Sequence, residues 1–170
     1  MNGKIETIAC LGLGSNLGDR LANLNEAVQR LQLIDGLIVR DVSKIYETEA
    51  VGGPNQPDYL NAAISIITML TPEQLLDVCL DIEAKLGRIR TVKNAAREID
   101  IDIELFGDVI LDRDNLVIPH PRMHERMFVL APMADIAPDM SHPVFEQTIV
   151  ELLQRHNDVS IKVFDKQLKL

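Results

Sequence analysis

Residues 99–103, Ile-Asp-Ile-Asp-Ile, restrict the possible folds of this chain more than any other segment, because apolar and acidic residues alternate strictly along them. Side chains two positions apart on a β-strand point to the same side, so the alternation predicts a half-buried strand. The isoleucines would face a core, and Asp100 and Asp102 would lie side by side on the opposite face. A strand with one solvated face is typical of an antiparallel sheet.

The two aspartates of this strand have a spacing that suits metal binding. They would lie about 6.6 Å apart along the strand, close enough for both carboxylates to ligate metal ions held about 3.5 to 4 Å apart. Carboxylate oxygens favour Mg²⁺, which usually keeps several waters and binds phosphates of the substrate. A nucleotide would be the natural ligand. The other interpretation, an ordinary solvated strand face, remains open at this point.

A basic segment precedes the strand. Residues 87–97 place four basic side chains in eleven positions of a chain whose net charge is -9. An acidic protein repels polyanions in general, so a local cluster of arginines beside two aspartates indicates a phosphate-binding loop rather than a nucleic-acid surface. The alternative is a solvated loop in which single arginines pair with Glu83 or Glu98.

A second cationic segment follows at residues 119–126. His120 lies between Pro119 and Pro121, and Arg126 closes the segment. The prolines disfavour helix and hold the backbone extended, so the imidazole of His120 is placed to donate a hydrogen bond to a phosphate oxygen. His124 has no such constraint and is expected to be an ordinary surface residue.

Length and composition indicate one compact domain spanning residues 1–170, with 46% hydrophobic and 25% charged residues. The sequence shows no signal-peptide pattern and no apolar run of membrane-spanning length, so a cytoplasmic protein is expected. Cys10 and Cys79 form no C-x-x-C motif and lie among apolar residues. They are expected to be buried and reduced.

The periodicity of the chain predicts an α+β protein whose elements follow the order β-α-β-β-α-β. This order is the ferredoxin-like pattern, an antiparallel sheet with helices packed on one face. Asp19 and Thr71 are the expected helix caps, and Gly87 ends the second helix. The predicted elements are a strand at 5–13, a helix at 19–33, strands at 37–48 and 59–69, a helix at 71–86 and the Asp100 strand.

Residues after Phe106 are predicted to form a C-terminal appendage. It would contain a strand at 116–118, helices at 126–136 and 145–154, and a last strand at 161–164.

Glycines at 12, 14 and 18 follow the first strand as in a dinucleotide-binding loop, but their spacing departs from the standard fingerprint and Asp19 places a negative charge at the start of the helix. Two successive strands without a helix between them also exclude a parallel sheet. The glycines are expected to shape a mobile loop near the substrate, or simply a tight strand-to-helix turn.

Taken together, these motifs resemble the family of 6-hydroxymethyl-7,8-dihydropterin pyrophosphokinases of folate biosynthesis. The resemblance implies transfer of the pyrophosphoryl group of ATP to the hydroxymethyl group of the dihydropterin, which gives AMP and the pterin diphosphate, with two Mg²⁺ ions. It also implies the ferredoxin-like fold. The matching blocks are residues 14–20, 46–48, 56–61, 87–90 with Glu83, 97–103, and 119–120 with Arg126 and Phe128.

The resemblance also assigns roles to individual residues. It implies that Asp100 and Asp102 bind the metal ions and act in catalysis together with Arg88 and Arg90. The residues implied to contact ATP are Arg88, Arg90, Arg97, Ile103, His120 and Arg126. Those implied to contact the pterin are Thr48, Val51, Tyr59, Asn61 and Phe128. The partners are therefore small molecules, with no nucleic acid or membrane, and no oligomeric state is predicted.

Four residues depart from the usual pattern of the family. Asn94 replaces an aromatic residue, commonly Trp, Glu49 replaces a proline, and Asn115 replaces an arginine for which the nearby Arg113 is a possible substitute. Glu104 replaces an apolar residue and is expected on the same face as Asp102.

Two other functions are weighed against the enzyme. A ferredoxin-like module that binds pterin or nucleotide without turnover would have no need of both aspartates and every basic partner. A nucleic-acid binder is disfavoured by the net charge of -9 and the aromatic content of 4%.

Overall fold

The computed structural model describes residues 5–50, 55–88, 95–157 and 160–170. Val51, Arg90 and Asn94, three positions discussed above, lie outside the described residues. Within these ranges, the structure has no helix that combines the length and apolarity needed to span a membrane. Cys10 and Cys79 are both buried and free of disulfides, as expected.

The core of the chain follows the predicted β-α-β-β-α-β order, except that the first of the two middle strands is divided into β2 and β3, and the appendage comes after it. The elements are β1 (Thr7–Ser15), α1 (Arg20–Gln32), β2 (Leu37–Val42), β3 (Lys44–Thr48), β4 (Tyr59–Thr68), α2 (Pro72–Lys85), β5 (Asp100–Phe106), β6 (Leu111–Arg113), β7 (Leu116–Ile118), a 3₁₀ turn (Met123–Glu125), α3 (Met127–Ile136), β8 (Ser141–His142), β9 (Gln147–Thr148), α4 (Ile149–Leu153) and β10 (Lys162–Gln167).

The main sheet is antiparallel and has the order β10-β3-β4-β1-β5, with β2 also paired to β4. The single strand expected at 37–48 is therefore two strands. Ser43 separates them because its hydroxyl accepts a hydrogen bond from the Ala63 amide at 2.8 Å, while its own amide donates to the Ala63 carbonyl at 2.9 Å. A side chain thus takes part in the backbone ladder and interrupts the regular pairing.

Two apolar layers cover the sheet. Alternate strand residues such as Leu11, Ile64 and Ile103 pack with α1 and α2, which confirms the predicted layer. Residues of the opposite face, including Cys10 and Leu105, pack with α3 and α4. The appendage therefore covers part of the second face, whereas the sequence predicted helices on one face only.

The helix expected at 145–154 was wrong in its first half. Residues 141–148 form the β8–β9 hairpin, with Glu146 at a positive φ of 54°, and α4 begins only at Ile149. Thr148 explains the late start, because its hydroxyl accepts from the Glu151 amide and the Glu151 carboxylate accepts from the Thr148 amide. This reciprocal cap favours helix initiation at that point.

A bulge in β5 has consequences for the site. Leu11 pairs with Ile103 but Cys10 pairs with Leu105, so Glu104 has no partner in β1. The side chain of Glu104 turns over Gly12, where a Cβ atom would lie only 2.7 Å from Glu104 Oε1. Glu104 therefore lies on the face of the Asp pair, as expected.

The N-terminus of α2 provides a direct test of the fold assignment. Thr71 Oγ1 accepts from the Gln74 amide at 3.2 Å, Gln74 Oε1 accepts from the Thr71 amide at 3.0 Å, and Pro72 occupies the first turn. We expect Thr71→Ala to lower the free energy of unfolding by about 1 kcal/mol, because a helix amide loses its acceptor. Urea unfolding measures this, and Thr71→Ser, which keeps the hydroxyl, should match the wild type. Equal losses in both variants would contradict the assignment.

Candidate active site

The alternation in β5 places the two aspartates as predicted. Ile101 and Ile103 are both 4% exposed and belong to the core under α1 and α2, whereas Asp100 and Asp102 are only partly covered on the other face. β5 is an edge strand of the main sheet. The Asp pair therefore lies at an accessible edge of a rigid sheet.

A cavity of about 460 Å³ lies along this edge. It brings together the described residues that the sequence assigned to metal and ATP. They come from four separate parts of the chain: Arg88, Arg97, Asp100, Asp102, Ile103, His120 and Arg126. A cavity with two carboxylates and several cationic groups suits a polyphosphate bound with a divalent cation.

Two arginines hold the Asp100 carboxylate. Arg97 Nη1 donates to Asp100 Oδ2 at 3.0 Å, and Arg88 Nη1 donates to Asp100 Oδ1 and also lies 2.6 Å from Glu83 Oε1. Burial disfavours the charged form of Arg88, but the two carboxylates outweigh this effect and raise its pKa. The guanidinium groups are therefore charged and already gathered at the Asp pair.

From the sequence, Glu83 is expected only as a possible surface partner of the arginines in residues 87–97 and as part of a block shared with the family. In the structure Glu83 is 2% exposed, and its Oε1 accepts a hydrogen bond from the Ile101 amide at 2.8 Å. The side chain thus ties α2 to β5 and faces Arg88. A signal was present in the sequence, because Glu83 follows Leu75, Cys79 and Ile82 on the apolar face of α2.

Asp102 has strongly perturbed acidity. Burial, with the nearby charges of Asp100 and Glu83, raises the pKa of Asp102 to about 7, and Arg126 and Arg88 act against this rise. A divalent cation would relieve this repulsion, and both side chains offer the oxygen donors that Mg²⁺ prefers. Among the described residues no group of three or more His, Cys, Asp or Glu side chains could hold a metal. The two carboxylates by themselves suit Mg²⁺, which usually takes one or two carboxylates and obtains its other ligands from water and phosphate.

His120 is held in one protonation state. Burial and the charge of Arg126 lower the pKa of His120 to about 4, so the ring is neutral at pH 7. Its Nδ1 accepts from the Arg122 amide at 3.2 Å, which leaves the proton on Nε2. His120 therefore has one N–H group with which to donate a hydrogen bond, and its expected role at a phosphate stays a prediction.

Three of the residues assigned to the pterin, Thr48, Tyr59 and Asn61, lie in β3 and β4 on the sheet face that carries Asp100. Asn61 Nδ2 donates to Thr48 Oγ1 at 2.8 Å, and both residues are buried. A Cβ atom at Gly14 would lie 3.3 Å from Asn61 Oδ1, 3.7 Å from Tyr59 Cδ1 and 4.0 Å from Asp100 Cβ. Asn61, Tyr59 and Asp100 thus surround the backbone of Gly14.

The aromatic candidates each contact a cationic residue of the cavity. Burial and Asp100 raise the pKa of Tyr59, while the charge of Arg97 and a side-chain hydrogen bond with it act in the opposite direction. The guanidinium carbon of Arg126 lies 5.6 Å from the ring centroid of Phe128, a cation–π distance. Each ring therefore stands beside a predicted phosphate ligand.

The structure corrects the expectation for the glycines. Gly12 and Gly14 lie within β1 and leave space for Glu104 and Asn61, so they form neither a mobile loop nor a turn. Only Gly18, at a φ of 66°, lies in the turn before α1. Gly12 and Gly14 thus leave space on the sheet face that carries Asp100 and Asp102, because any larger residue would project its side chain into that space.

The four departures have different environments. Asn94 lies outside the described residues, Glu49 is exposed, and Asn115 lines the cavity. The exposed Arg113 is paired with Glu73, so the structure does not place it as a substitute for Asn115. Glu104 is 1% exposed and its Oε2 lacks a hydrogen-bond partner within the described part of the chain.

Comparison with known proteins identifies the family to which the chain is similar. The family model described as 7,8-dihydro-6-hydroxymethylpterin-pyrophosphokinase (HPPK) matches residues 10–138. The chain is 43% identical over 147 residues to the 2-amino-4-hydroxy-6-hydroxymethyldihydropteridine pyrophosphokinase of Synechocystis sp., covering 86% of this chain and 75% of that protein. The enzyme of the same name from Methylorubrum extorquens is 47% identical over 134 residues, covering 79% and 85%.

Solved structures share the fold at lower identity. The chain superposes on an HPPK-DHPS structure in complex with substrates with a TM-score of 0.73 and 15% identity, covering 93% of this chain and 46% of that chain. For Plasmodium falciparum HPPK-DHPS with pterin and p-hydroxybenzoate, the TM-score is 0.72 at 18% identity, covering 96% and 47%. The chain thus spans less than half of these solved proteins, and the likeness concerns the fold.

The buried carboxyl of Glu104 leads to a stability prediction. Burial and the charge of Asp102 raise the pKa of Glu104 well above its usual 4.5. A raised folded-state pKa means that stability falls as pH rises from about 4.5 towards the folded-state value. We therefore expect Glu104→Leu to increase the free energy of unfolding at neutral pH by about 1 to 3 kcal/mol, because a buried polar group without a partner is removed.

Urea unfolding at a series of pH values measures this effect. The advantage of Glu104→Leu over the wild type should grow as pH rises above 4.5. Glu6→Leu, at an exposed position, is the matched control and should keep the pH profile of the wild type. A Glu104→Leu protein with no gain in stability at neutral pH would contradict the prediction.

Proposed function

The chain belongs to the 7,8-dihydro-6-hydroxymethylpterin-pyrophosphokinase family, and we propose that the cavity beside Asp100 and Asp102 is its active site. The protein is an ATP-dependent pyrophosphokinase of folate synthesis: it transfers the pyrophosphoryl group of ATP to the hydroxymethyl group of 6-hydroxymethyl-7,8-dihydropterin. AMP and the pterin diphosphate are the products. The observation that carries the site assignment is the convergence of Arg88, Arg97, His120 and Arg126 on the Asp pair.

The cationic groups of the cavity bind the triphosphate of ATP. Arg88 and Arg97 lie at the Asp pair, Arg126 lines the same cavity, and His120 offers its Nε2–H group. We include Arg90 in this set from the family pattern. In phosphoryl-type transfer the protein mainly positions the reactants and neutralises charge, and one well-placed arginine contributes about 10³ to 10⁵ in rate. No covalent intermediate with the protein is needed.

Asp100 and Asp102 are the residues that would hold Mg²⁺, and we propose two ions. Bound Mg²⁺ would neutralise phosphate charge and orient the reacting oxygens. Both oxygens of Asp100 accept hydrogen bonds from arginines. A cation held by Asp100 would supply it with another positive partner, and Arg88 and Arg97 would then be available to the phosphates of ATP.

The pterin occupies the space above Gly14. Asn61 donates from Nδ2 to Thr48, so its Oδ1 is the atom left to accept from an N–H group of the pterin edge. Tyr59 and Phe128 supply aromatic faces for the flat ring. From the family pattern we add Val51 as a further contact. The hydroxymethyl group of a pterin in this position would point towards Asp100, whose Cβ borders the same glycine.

Several further features stay predictions. They are the cytoplasmic location, the single pyrophosphokinase domain over residues 1–170 and the absence of a nucleic-acid partner. The alternative of a binding module without turnover is tested by the same experiment as the activity.

The proposed function predicts pterin-dependent formation of AMP from ATP and Mg²⁺. We expect Asp100→Ala and Asp102→Ala to lower this rate at least about 10³-fold, because charge neutralisation at the phosphates is lost. Arg88→Ala should cost about 10³-fold or more. AMP is quantified by chromatography with and without 6-hydroxymethyl-7,8-dihydropterin.

Asp139→Asn is the matched control, since Asp139 is exposed and lies in the turn after α3. Its AMP formation should equal that of the wild type. Wild-type protein that binds the pterin tightly but forms no AMP would favour the binding module instead. Full activity in both Asp→Ala variants would refute the assignment of the metal site.

A further inference from the structure

Asn16, the first residue after β1, connects three parts of the site. Its side chain is 0% exposed, and its Oδ1 accepts from the Arg97 amide at 2.8 Å while its own amide donates to the Arg97 carbonyl at 3.1 Å. Its Nδ2 donates to the Pro57 carbonyl at 3.2 Å and to Gln56 Oε1 at 3.3 Å. One buried amide thus joins the end of β1 to the segments that precede β4 and β5.

These two segments carry residues for different substrates. Arg97 donates to Asp100 and faces the phosphate cavity, whereas Pro57 lies two residues before Tyr59 at the pterin side. Arg97 also forms a side-chain hydrogen bond with Tyr59. A second link lies nearby, because Arg20 Nη1 donates to the Asp58 carbonyl and to Glu47 Oε2, both at 2.8 Å. Hydrogen bonds through Asn16 therefore link the pterin side of the site to its phosphate side.

An amide is the side chain that this position requires. Asn offers an acceptor and two donors in one plane, and here the acceptor serves Arg97 while the donors serve residues 56 and 57. Aspartate would keep only the acceptor function, and alanine would keep neither. Burial makes the geometry strict, since a buried backbone amide without a partner is costly.

We propose that Asn16 is a positioning residue for the transfer reaction, one that fixes the pterin side of the site relative to its phosphate side. The inference rests on the proposed function and deepens it. Because one side chain holds both segments, a substrate that orders one segment also orders the other. ATP and the pterin then bind with positive coupling, and the coupling is reciprocal by thermodynamic linkage.

The test is a measurement of coupling that needs no turnover. Calorimetry gives the Kd of the pterin with and without the non-hydrolysable analogue α,β-methylene-ATP in the presence of Mg²⁺, and the ratio of the two values is the coupling factor. For wild-type protein we expect a factor of about 5 to 150, the usual range for coupled sites. Asn16→Ala should bring the factor close to one, while the pterin Kd without nucleotide changes less.

Catalysis gives an independent readout. We expect Asn16→Ala to lower kcat for AMP formation by about 10²-fold, because misplacement of reacting groups by about 1 Å has an effect of this size. A smaller change in KM is expected, since the residues that contact each substrate are intact. A purely structural role would lower stability in urea and leave both kcat and the coupling factor at wild-type values.

Asn23→Ala is the matched control. Asn23 Nδ2 donates to the Leu17 carbonyl at 2.9 Å and to Ser15 Oγ at 3.3 Å, so it supports the same turn through similar bonds to its own loop. This variant should keep the coupling factor of the wild type. An equal loss of coupling in Asn23→Ala would overturn the proposal, because general loosening of the loop would then explain both results.

A second variant keeps the proposal testable if Asn16→Ala does not fold. Gln56→Ala removes one acceptor of Asn16 and should reduce the coupling factor about 3-fold, the effect of a single modest hydrogen bond. An unchanged factor in a folded Asn16→Ala or Gln56→Ala protein would overturn the inference. Failure of the proposed function is a separate result, since wild-type protein would then form no AMP although the coupling of the two ligands is still measurable.

Discussion

The rest of the site depends on one network of ion pairs. It runs from Glu83 through Arg88 to Asp100 and Arg97. Burying an isolated charge costs free energy. Each of these four groups avoids that cost because a partner of opposite charge lies beside it. Glu83 also accepts from the backbone of β5, which fixes the strand and the arginine in one contact. The network therefore fixes the position of Asp100 and places two arginines beside it, where the phosphates of ATP are proposed to bind.

The sheet explains how two different substrates meet. On one face the apolar residues of β1, β4 and β5 pack against α1 and α2. On the other face α3 and α4 cover one part, and the remaining part carries the polar side chains of the site. Gly14 leaves its part of that face bare, and the side chains of Asn61, Tyr59 and Asp100 surround it. A flat pterin and a polyphosphate can thus approach from opposite sides of Asp100. The transfer reaction then depends on rigid strands for precision and on loops for access.

The same face carries two carboxyl groups whose pKa values are raised, those of Asp102 and Glu104. The pKa of Asp102 is raised to about 7 by burial and by two neighbouring carboxylates, and Glu104 is buried above Gly12 without a partner for Oε2 within the described residues. Such groups reduce stability, and they persist where a function or a later ligand compensates for them. For Asp102 the proposed ligand is Mg²⁺ with ATP. For Glu104, the absence of a side chain at Gly12 provides the space that its carboxyl occupies.

The sequence by itself determined the strand that carries Asp100 and Asp102, the caps of α1 and α2, the β-α-β-β-α-β order and the cationic segments, because periodicity and capping are local properties of neighbouring residues. Tertiary structure alone decided the division of 37–48 at Ser43, the bulge at Glu104 and the placement of the appendage on the second face. It also decided the roles of Glu83 and Asn16. Each of these depends on contacts between residues far apart in sequence, such as the hydrogen bond of Asn16 with Arg97 or the packing of Leu105 with α3 and α4, and spacing along one segment carries no information about them.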